Sequence, residues 1–285
     1  MPITPKQLAD RKNYIGASDM AAIMGLSPWR TAYDVWAEKT GKLNDDTGTP
    51  ATLAGQTLEH AILKLAEPQL GKLWLNQFRV LSGTHIASHL DSIVKETGRP
   101  AEAKLRRFDD GWGEPNTDQV PDDVIVQAQV QLLCTQKDFA HIIAVIAARA
   151  WKLQLFVVPL DKEISNTILV TADRFWSKYI ETDTPPNDCL PTFETIKRMR
   201  RTPGSIIDIP KELVMNRQNK KDALDKAQTE FDIADRTLRA SLGTAEAGRF
   251  DGGIITYYEQ HRKAYEVKES IYRVLRVKFE GNKND

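Results

Sequence analysis

The spacing of apolar residues changes near residue 70, from the interval of a helix to the alternation of strands. Before that point, apolar residues recur at helical intervals and predict a helix over about 51–67. After it, residues 72–81 and 84–94 alternate or run apolar, as strands do. The turn-rich connector KETGRP then leads into a returning strand, AEAKL, at residues 101–105.

Two shorter helices are predicted near the start of the chain. Ser18 and Asp19 precede a short apolar turn, and this pattern predicts that they form a helix N-cap. Residues 31–41 are amphipathic and end in glycine, which predicts a second helix.

The segment that follows the returning strand has features of both a helix and a strand. Residues 123–136 carry β-branched side chains that favour a strand, but their length and Gln and Leu content favour a helix, and we predict a helix. Strands over 140–149 and 151–159 follow, and then a helix that ends before the proline pair at 185–186. This order predicts an α/β fold with a mixed central β-sheet flanked by helices.

A change in composition near residues 190–205 marks a predicted domain boundary. Beyond it, residues 210–243 are highly charged, and their apolar residues recur at intervals of seven or ten, as in a coiled-coil-like arm. We therefore predict a first domain over 1–195 and a C-terminal helical arm with a small β element over 196–285. Strand patterns in that arm fall at 252–260 and 270–279.

Composition narrows the class of protein. Lys plus Arg equals Asp plus Glu, 39 each, so a general polyanion-binding surface is not indicated. A nucleic-acid enzyme is still compatible with zero net charge, because it needs basic residues only where the nucleic-acid strand binds. Cys134 and Cys189 form neither a disulfide framework nor a zinc or iron–sulfur motif, and they favour the reducing cytoplasm. A polar N-terminus and the absence of an apolar run of about 20 residues predict no signal peptide and no membrane span.

Candidate chemistry lies in the returning strand. Glu102 and Lys104 are two positions apart, so on a strand their side chains share one face. A solvated ion pair is the simplest interpretation, and such a pair stabilises a fold by only about 0–1 kcal/mol. Asp91, however, ends the preceding strand, and a hairpin would bring it to Glu102. Two converging carboxylates repel unless a cation bridges them, and Mg²⁺ prefers such oxygen ligands. His85 and His89 flank Asp91 but lack a third nitrogen or sulfur ligand for zinc.

The Asp-(turn)-Glu-x-Lys pattern resembles that of the PD-(D/E)xK nuclease superfamily. More narrowly, the chain resembles the YqaJ-type phage recombination exonucleases, relatives of the lambda exonuclease, which have a restriction-endonuclease-like core. The resemblance covers about residues 11 to 190, and its strength lies in the order and spacing of several separate stretches. These stretches are 11–41, AGQTLEHAI (54–62), IASHLDSIV (86–94), AEAK (101–104), QAQVQLLCT (127–135) and 175–188.

The resemblance implies roles for five residues at the proposed metal site. Asp91 and Glu102 would bind Mg²⁺, with Mn²⁺ as an alternative and two ions per site, and the Ala103 backbone carbonyl would complete one coordination sphere. Lys104 would activate the attacking water. Glu59 would act from a helix, in an outer shell or through water. One departure is that Leu90 and Ser92 flank the first carboxylate, where the family more often has Pro-Asp or Leu-Asp-Gly.

The resemblance also implies a site for the substrate's phosphates. Gln129 would orient the nucleophile or a phosphate, and Arg11 and Ser18 would bind the 5′-terminal phosphate. An arginine fork and a hydroxyl form a chemically sensible anion site.

The implied activity is Mg²⁺-dependent 5′→3′ exonucleolytic digestion of double-stranded DNA ends. It would release 5′-mononucleotides and leave 3′ single-stranded tails for phage-type recombination. The implied partners are a homotrimeric ring of this chain and a single-strand annealing protein. Two alternatives stay open: a PD-(D/E)xK endonuclease of restriction or structure-specific type, and a non-catalytic DNA-binding scaffold.

Overall fold

The computed structural model describes residues 10–44 and 50–259. The chain divides into two compact units, the first ending at Arg201 and the second beginning at Thr202. The strand predicted at 270–279 lies outside the described residues. Within the described residues, every helix is too short or too polar to span a lipid bilayer.

The first unit contains a five-stranded sheet with strand order β1-β2-β3-β4-β5. β3 and β4 run parallel, and the other neighbouring strands are antiparallel. This confirms the predicted mixed sheet. The strands are β1 (Leu73–Val80), β2 (Ala87–Val94), β3 (Pro100–Arg106), β4 (Phe139–Ile146) and β5 (Leu153–Pro159).

Six helices of the first unit are described, and the segment predicted as helix despite its β-branched residues is a helix. They are α1 (Ala17–Ile23), α2 (Ala32–Lys39), α3 (Pro50–Leu70), α4 (Asp122–Thr135), α5 (Lys162–Phe175) and α6 (Phe193–Arg198). A short 3₁₀ turn at Arg11–Asn13 precedes α1, and a π-helical turn at Trp176–Ile180 extends α5.

Helix α4 lies at the centre of the unit. One of its sides packs on β4, where Ala128 and Leu132 share a cluster with Ile142 and Ala144. Another side, which includes Val130, belongs to a second cluster with α1, α2 and α5. A third cluster joins α3 to the sheet. Because α4 is covered on several sides, Val124, Val126 and Val130 are buried, and burial overrides their weak helix propensity.

The second unit consists of one long helix and a hairpin. Helix α7 (Lys211–Leu242) has no buried residue, and its side chains form several i,i+4 ion pairs and hydrogen bonds. Strands β6 (Ala247–Phe250) and β7 (Gly253–Thr256) pair antiparallel. The helical extension with C-terminal strands that the sequence predicted is therefore present.

A buried ion-pair network fastens the start of the chain. Gly16, rather than Ser18 or Asp19, is the N-cap of α1, so the predicted N-cap was wrong by two to three positions. Asp19 instead lies in the first turn, and its Oδ2 accepts a hydrogen bond from the Gly16 backbone N–H at 3.0 Å. The same oxygen lies 2.6 Å from Lys39 Nζ, and Arg30 Nη1 lies 2.8 Å from Oδ1.

These cations govern the charge of Asp19. Burial alone favours the neutral carboxyl, but the Lys39 and Arg30 charges outweigh it and hold the pKa of Asp19 well below its usual range. Lys39 also donates a hydrogen bond to the Arg11 carbonyl at 2.7 Å. Helix α2, the start of α1 and the turn that carries Arg11 are thereby joined through one ammonium group.

We predict that Asp19→Asn destabilises the protein by about 3–5 kcal/mol at neutral pH, because it leaves the buried Lys39 ammonium without its counter-charge. The folded-state pKa lies below the ordinary value of 3.8. The stabilisation is therefore complete above pH 3.8 and is lost as pH falls toward the folded-state pKa. Denaturant unfolding of both proteins between pH 3 and 8 should show a constant difference that narrows only at the acid end.

The matched control is Asp183→Asn. Asp183 pairs with Lys42 at 2.6 Å, but both side chains are substantially exposed, and the expected cost is below about 1 kcal/mol. Equal losses in the two variants would show that burial adds nothing to the Asp19 network.

Candidate active site

The candidate site lies where β2 and β3 separate. Their pairing extends only to Ser92 opposite Ala101 and Ile93 opposite Pro100. Continued by one residue, the same antiparallel register places Asp91 opposite Glu102, on the same face of the sheet. The predicted convergence of the two carboxylates is therefore present.

The gap in the ladder is filled by the Asp91 side chain. Its Oδ2 accepts a hydrogen bond from the Ala103 backbone N–H at 2.9 Å. In a strand the N–H and C=O of one residue point to the same side, so the Ala103 carbonyl also faces the gap. This is the position that the resemblance implied for a metal-binding carbonyl.

Glu102 is buried, with 4% of its surface exposed, and three side chains donate to it. Lys104 Nζ lies 2.6 Å from Oε1, and Gln127 Nε2 lies 2.5 Å from the same oxygen. Gln131 Nε2 donates to Oε2 at 2.6 Å. Lys104 also donates to Gln127 Oε1 at 2.7 Å. The carboxylate and the ammonium are therefore fixed in one orientation by helix α4.

Asp91 has an excess of negative charge around it. Burial, together with the carboxylates of Glu102 and Glu59, raises the pKa of Asp91 well above its ordinary value, and the Lys104 charge only partly opposes this. Burial and the Glu102 carboxylate likewise raise the pKa of Glu59. Glu59, half-buried on α3, is thus near enough to interact electrostatically with the other carboxylates, as expected for an outer-shell group.

The donor groups fit a hard divalent cation. Carboxylate and carbonyl oxygens are the ligands that Mg²⁺ prefers, and a cation would relieve the repulsion among Asp91, Glu102 and Glu59. Within residues 10–44 and 50–259, no three His, Cys, Asp or Glu side chains form a ready-made metal cluster. An ion here would accordingly need the Ala103 carbonyl and water besides the two carboxylates.

The structure does not bring Gln129 to this site, which corrects the role predicted for it. Its Nε2 donates to the Pro159 carbonyl at 2.8 Å, and its Oε1 accepts from the Asp161 N–H at 2.9 Å. Gln129 therefore fastens α4 to the connection between β5 and α5. On a helix, residues two positions apart point in nearly opposite directions, so Gln127 and Gln129 cannot serve the same site.

Sequence reasoning missed Gln127 and Gln131. They are four positions apart, which places both on one face of a helix. Once residues 123–136 are assigned as a helix, this spacing identifies them as a pair that acts together. Gln129 was predicted instead from its position in the glutamine motif of the family.

Arg11, one of the two predicted phosphate-binding residues, is close enough to β2 to interact electrostatically with His89. Arg11 is partly buried, its charge contributes to the lowered pKa of Asp19, and it forms no close ion pair with another described residue. Burial and the nearby Arg11 charge lower the pKa of His89, which shares a face of β2 with Asp91. Ser18 is exposed in the first turn of α1. Within the described residues, Arg11 is thus a cation near the strand that carries Asp91 and has no close ion-pair partner.

Chemically, the arrangement can bind a metal and orient a water molecule. Asp91, Glu102 and the Ala103 carbonyl offer oxygen ligands at one edge of the gap. Lys104, with 12% of its side chain exposed, is held beside Glu102. This combination of groups suits hydrolysis of a phosphodiester.

Solved structures share the fold. An alkaline exonuclease from Laribacter hongkongensis, LHK-Exo, superposes with a TM-score of 0.51 at 17% identity, covering 64% of this chain and 94% of that one. A structure of LHK-Exo in complex with dAMP gives a TM-score of 0.50 at 16% identity, with the same coverage of both chains.

Sequence comparison finds a similar protein and a similar family domain. An uncharacterized protein of Bacillus subtilis (strain 168), YqaJ, is 23% identical over 180 residues, which are 60% of this chain. The chain spans only 54% of the length of that relative. Residues 6–138 match the family model of the YqaJ-like viral recombinase domain, and they include every carboxylate and glutamine of the candidate site. Residues 6–138 are therefore similar to the YqaJ-like viral recombinase domain, the family that the sequence resembles.

Proposed function

We propose that this protein is a Mg²⁺-dependent 5′→3′ exonuclease that digests double-stranded DNA from its ends. The observation that carries the proposal is the placement of Asp91, Glu102 and Lys104 on one face of the sheet, at the gap between β2 and β3. Glu102 and Lys104 are held there by Gln127. A solvated surface pair would not be buried and cross-linked in this way.

The residues of the chain would divide the work of hydrolysis. Asp91, Glu102 and the Ala103 carbonyl would hold Mg²⁺, which would stabilise the negative charge that develops on the phosphate oxygens. Repulsion from the bound cation would favour the neutral amine of Lys104, and that amine would position the attacking water and accept its proton. Glu102 and Gln127 would fix the direction of the amine. Attack on phosphorus breaks the bond to the 3′ oxygen, so a 5′-mononucleotide leaves and a new 5′-phosphate remains.

Arg11 supports the proposed direction of digestion. Arg11 is partly buried, has no close ion-pair partner among the described residues, and interacts electrostatically with His89, two positions before Asp91 on β2. We propose that Arg11, with Ser18, binds the 5′-terminal phosphate and so admits 5′ ends to the site. Digestion of that strand leaves a 3′ single-stranded tail.

We extend the proposal to the assembly. A homotrimeric ring around the duplex would keep the enzyme on its substrate by enclosure, which suits a chain whose formal net charge is zero. The 3′ tails would be the substrate of a single-strand annealing protein. Light scattering tests the ring, since a monomer that digests distributively would exclude it.

The primary test is digestion of linear duplex DNA with Mg²⁺ or Mn²⁺, labelled separately at each strand end. We expect 5′-mononucleotides from the 5′ ends and no cleavage of a covalently closed circle. Lys104→Met should reduce the rate by about 10²–10⁴-fold, the contribution typical of a positioned acid–base group. Lys95→Met, an exposed lysine on the same hairpin, is the matched control and should retain full activity.

Three outcomes would contradict the proposal. Cleavage of the circle would assign an endonuclease, and nucleotide release from 3′ ends would reverse the direction. Absence of activity with both metals would favour the DNA-binding scaffold.

We predict that Asp91→Asn abolishes digestion and yet raises the thermal midpoint of the metal-free protein. The amide still accepts the Ala103 N–H but removes the repulsion from Glu102 and Glu59, and each kcal/mol of relief corresponds to about 2–4 °C. Differential scanning fluorimetry should also show that Mg²⁺ raises the midpoint of the wild type and not of the variant. Asp188→Asn, an exposed carboxylate, should change neither quantity. A lower midpoint for Asp91→Asn would show that its charge is compensated within the protein.

We predict that Arg11→Met raises the KM for 5′-phosphorylated ends by about 10-fold or more, the loss of a hydrogen bond to a charged group. It should have little effect on the KM for 5′-hydroxyl ends. Steady-state kinetics on the two substrates measures the ratio, and Lys12→Met, its exposed neighbour, is the control. An equal change on both substrates would assign Arg11 to general DNA binding instead of phosphate recognition.

A further inference from the structure

Gln131 occupies an unusual position for a glutamine. Only 1% of its surface is exposed, and its Nε2 donates to Glu102 Oε2 at 2.6 Å. Its Oε1 is also buried, and no donor among the described residues reaches it. Buried amides normally have partners for both ends, so this free oxygen requires an explanation.

The orientation of the amide follows from its chemistry. An ionised carboxylate accepts hydrogen bonds and donates none, so only the NH₂ end of Gln131 can face Glu102. The carbonyl end then faces away from Glu102 Oε2, and it is buried without a partner among the described residues. Turning the amide over would satisfy neither group, because two acceptor oxygens would meet.

Gln131 also differs from Gln127 in its role. Gln127 contacts both Glu102 Oε1 and Lys104, so it links the acid to the lysine. Gln131 contacts the other carboxylate oxygen, for which it is the only side-chain donor in the described residues. Without it, Oε2 would lose its donor, and only the two contacts at Oε1 would hold the carboxylate.

We propose that Gln131 is a positioning residue that orients Glu102 for a divalent cation, with its unpartnered Oε1 serving as acceptor for a water molecule that the hydrated ion brings. This inference rests on the proposed function, because it assumes that Glu102 binds a metal. Partners that orient a metal ligand through a hydrogen bond are commonly worth 10–100-fold in metal affinity. Gln131 would therefore act on binding of the ion, before any DNA is present.

The chain offers a matched control two positions away on the same helix. Gln129 is as deeply buried as Gln131, with 1% exposed, but both ends of its amide have partners in the connection after β5. Gln129→Met and Gln131→Met make the same chemical change in the same helix. A purely structural role would give both variants the same behaviour.

The experiment is isothermal titration of Mg²⁺, and separately of Mn²⁺, into the full chain without DNA. It is combined with thermal midpoints and digestion rates. Gln131→Met should bind the ion about 10–100-fold more weakly. Gln129→Met should lower the thermal midpoint but leave the dissociation constant of the ion unchanged. High Mg²⁺ should restore much of the digestion rate of Gln131→Met, because only occupancy of the site is impaired.

The inference and the proposed function can fail separately. Unchanged metal affinity in Gln131→Met, with an active wild type, overturns the inference and leaves the nuclease proposal intact. If Gln131→Met binds the ion more weakly than the wild type, and the wild type digests no DNA, the inference is supported and the nuclease proposal is overturned. A wild type that binds neither ion overturns both. If Gln131→Met does not fold, Gln131→Asn, which keeps the polarity but shortens the reach, replaces it with the same expected loss.

Discussion

The gap between β2 and β3 is the constraint on which the candidate site depends. Had the ladder continued past Ser92 and Ala101, the Ala103 N–H and carbonyl would be used by β2, and no carboxylate could enter. Because the strands separate, Asp91 replaces the missing backbone partner through its own side chain. The Asp91 carboxylate thus accepts the Ala103 N–H at the position of the proposed metal site. The parallel pairing of β3 with β4 keeps the opposite side of β3 rigid.

Helix α4 serves both the fold and the site because its faces are chemically distinct. Ala128 and Leu132 pack on the sheet, while Gln127 and Gln131 reach Glu102. Gln129 points to a third direction and fastens the next connection. A small rotation of α4 would therefore disturb the packing and the carboxylate together. The core thereby supplies the precision that the polar groups require.

The sequence predicted the elements better than it predicted the individual polar contacts. Strand alternation located β1 to β5, and the i,i+2 spacing of Glu102 and Lys104 placed both on one face, since these are local properties of the chain. The prediction for Gln129 failed because three glutamines at alternate positions do not by themselves show which of them faces the site. That choice depends on how α4 packs in the folded protein. Asp19 was mistaken for an N-cap because its partners, Lys39 and Arg30, are distant in sequence. Contacts of this kind depend on packing that no short window contains.

Two carboxylates of this unit, the buried Asp19 and the partly buried Asp91, have opposite electrostatic surroundings. Asp19 meets two cations and a backbone N–H, so its charge is matched inside the protein and its pKa is lowered. Asp91 meets two carboxylates and a single lysine that is already bound to one of them, so its pKa is raised. A fold selected only for stability would replace such an acid with a neutral residue. The proposed divalent cation would supply the positive charge that the surroundings of Asp91 lack, and the oxygen donors around it suit a hard cation.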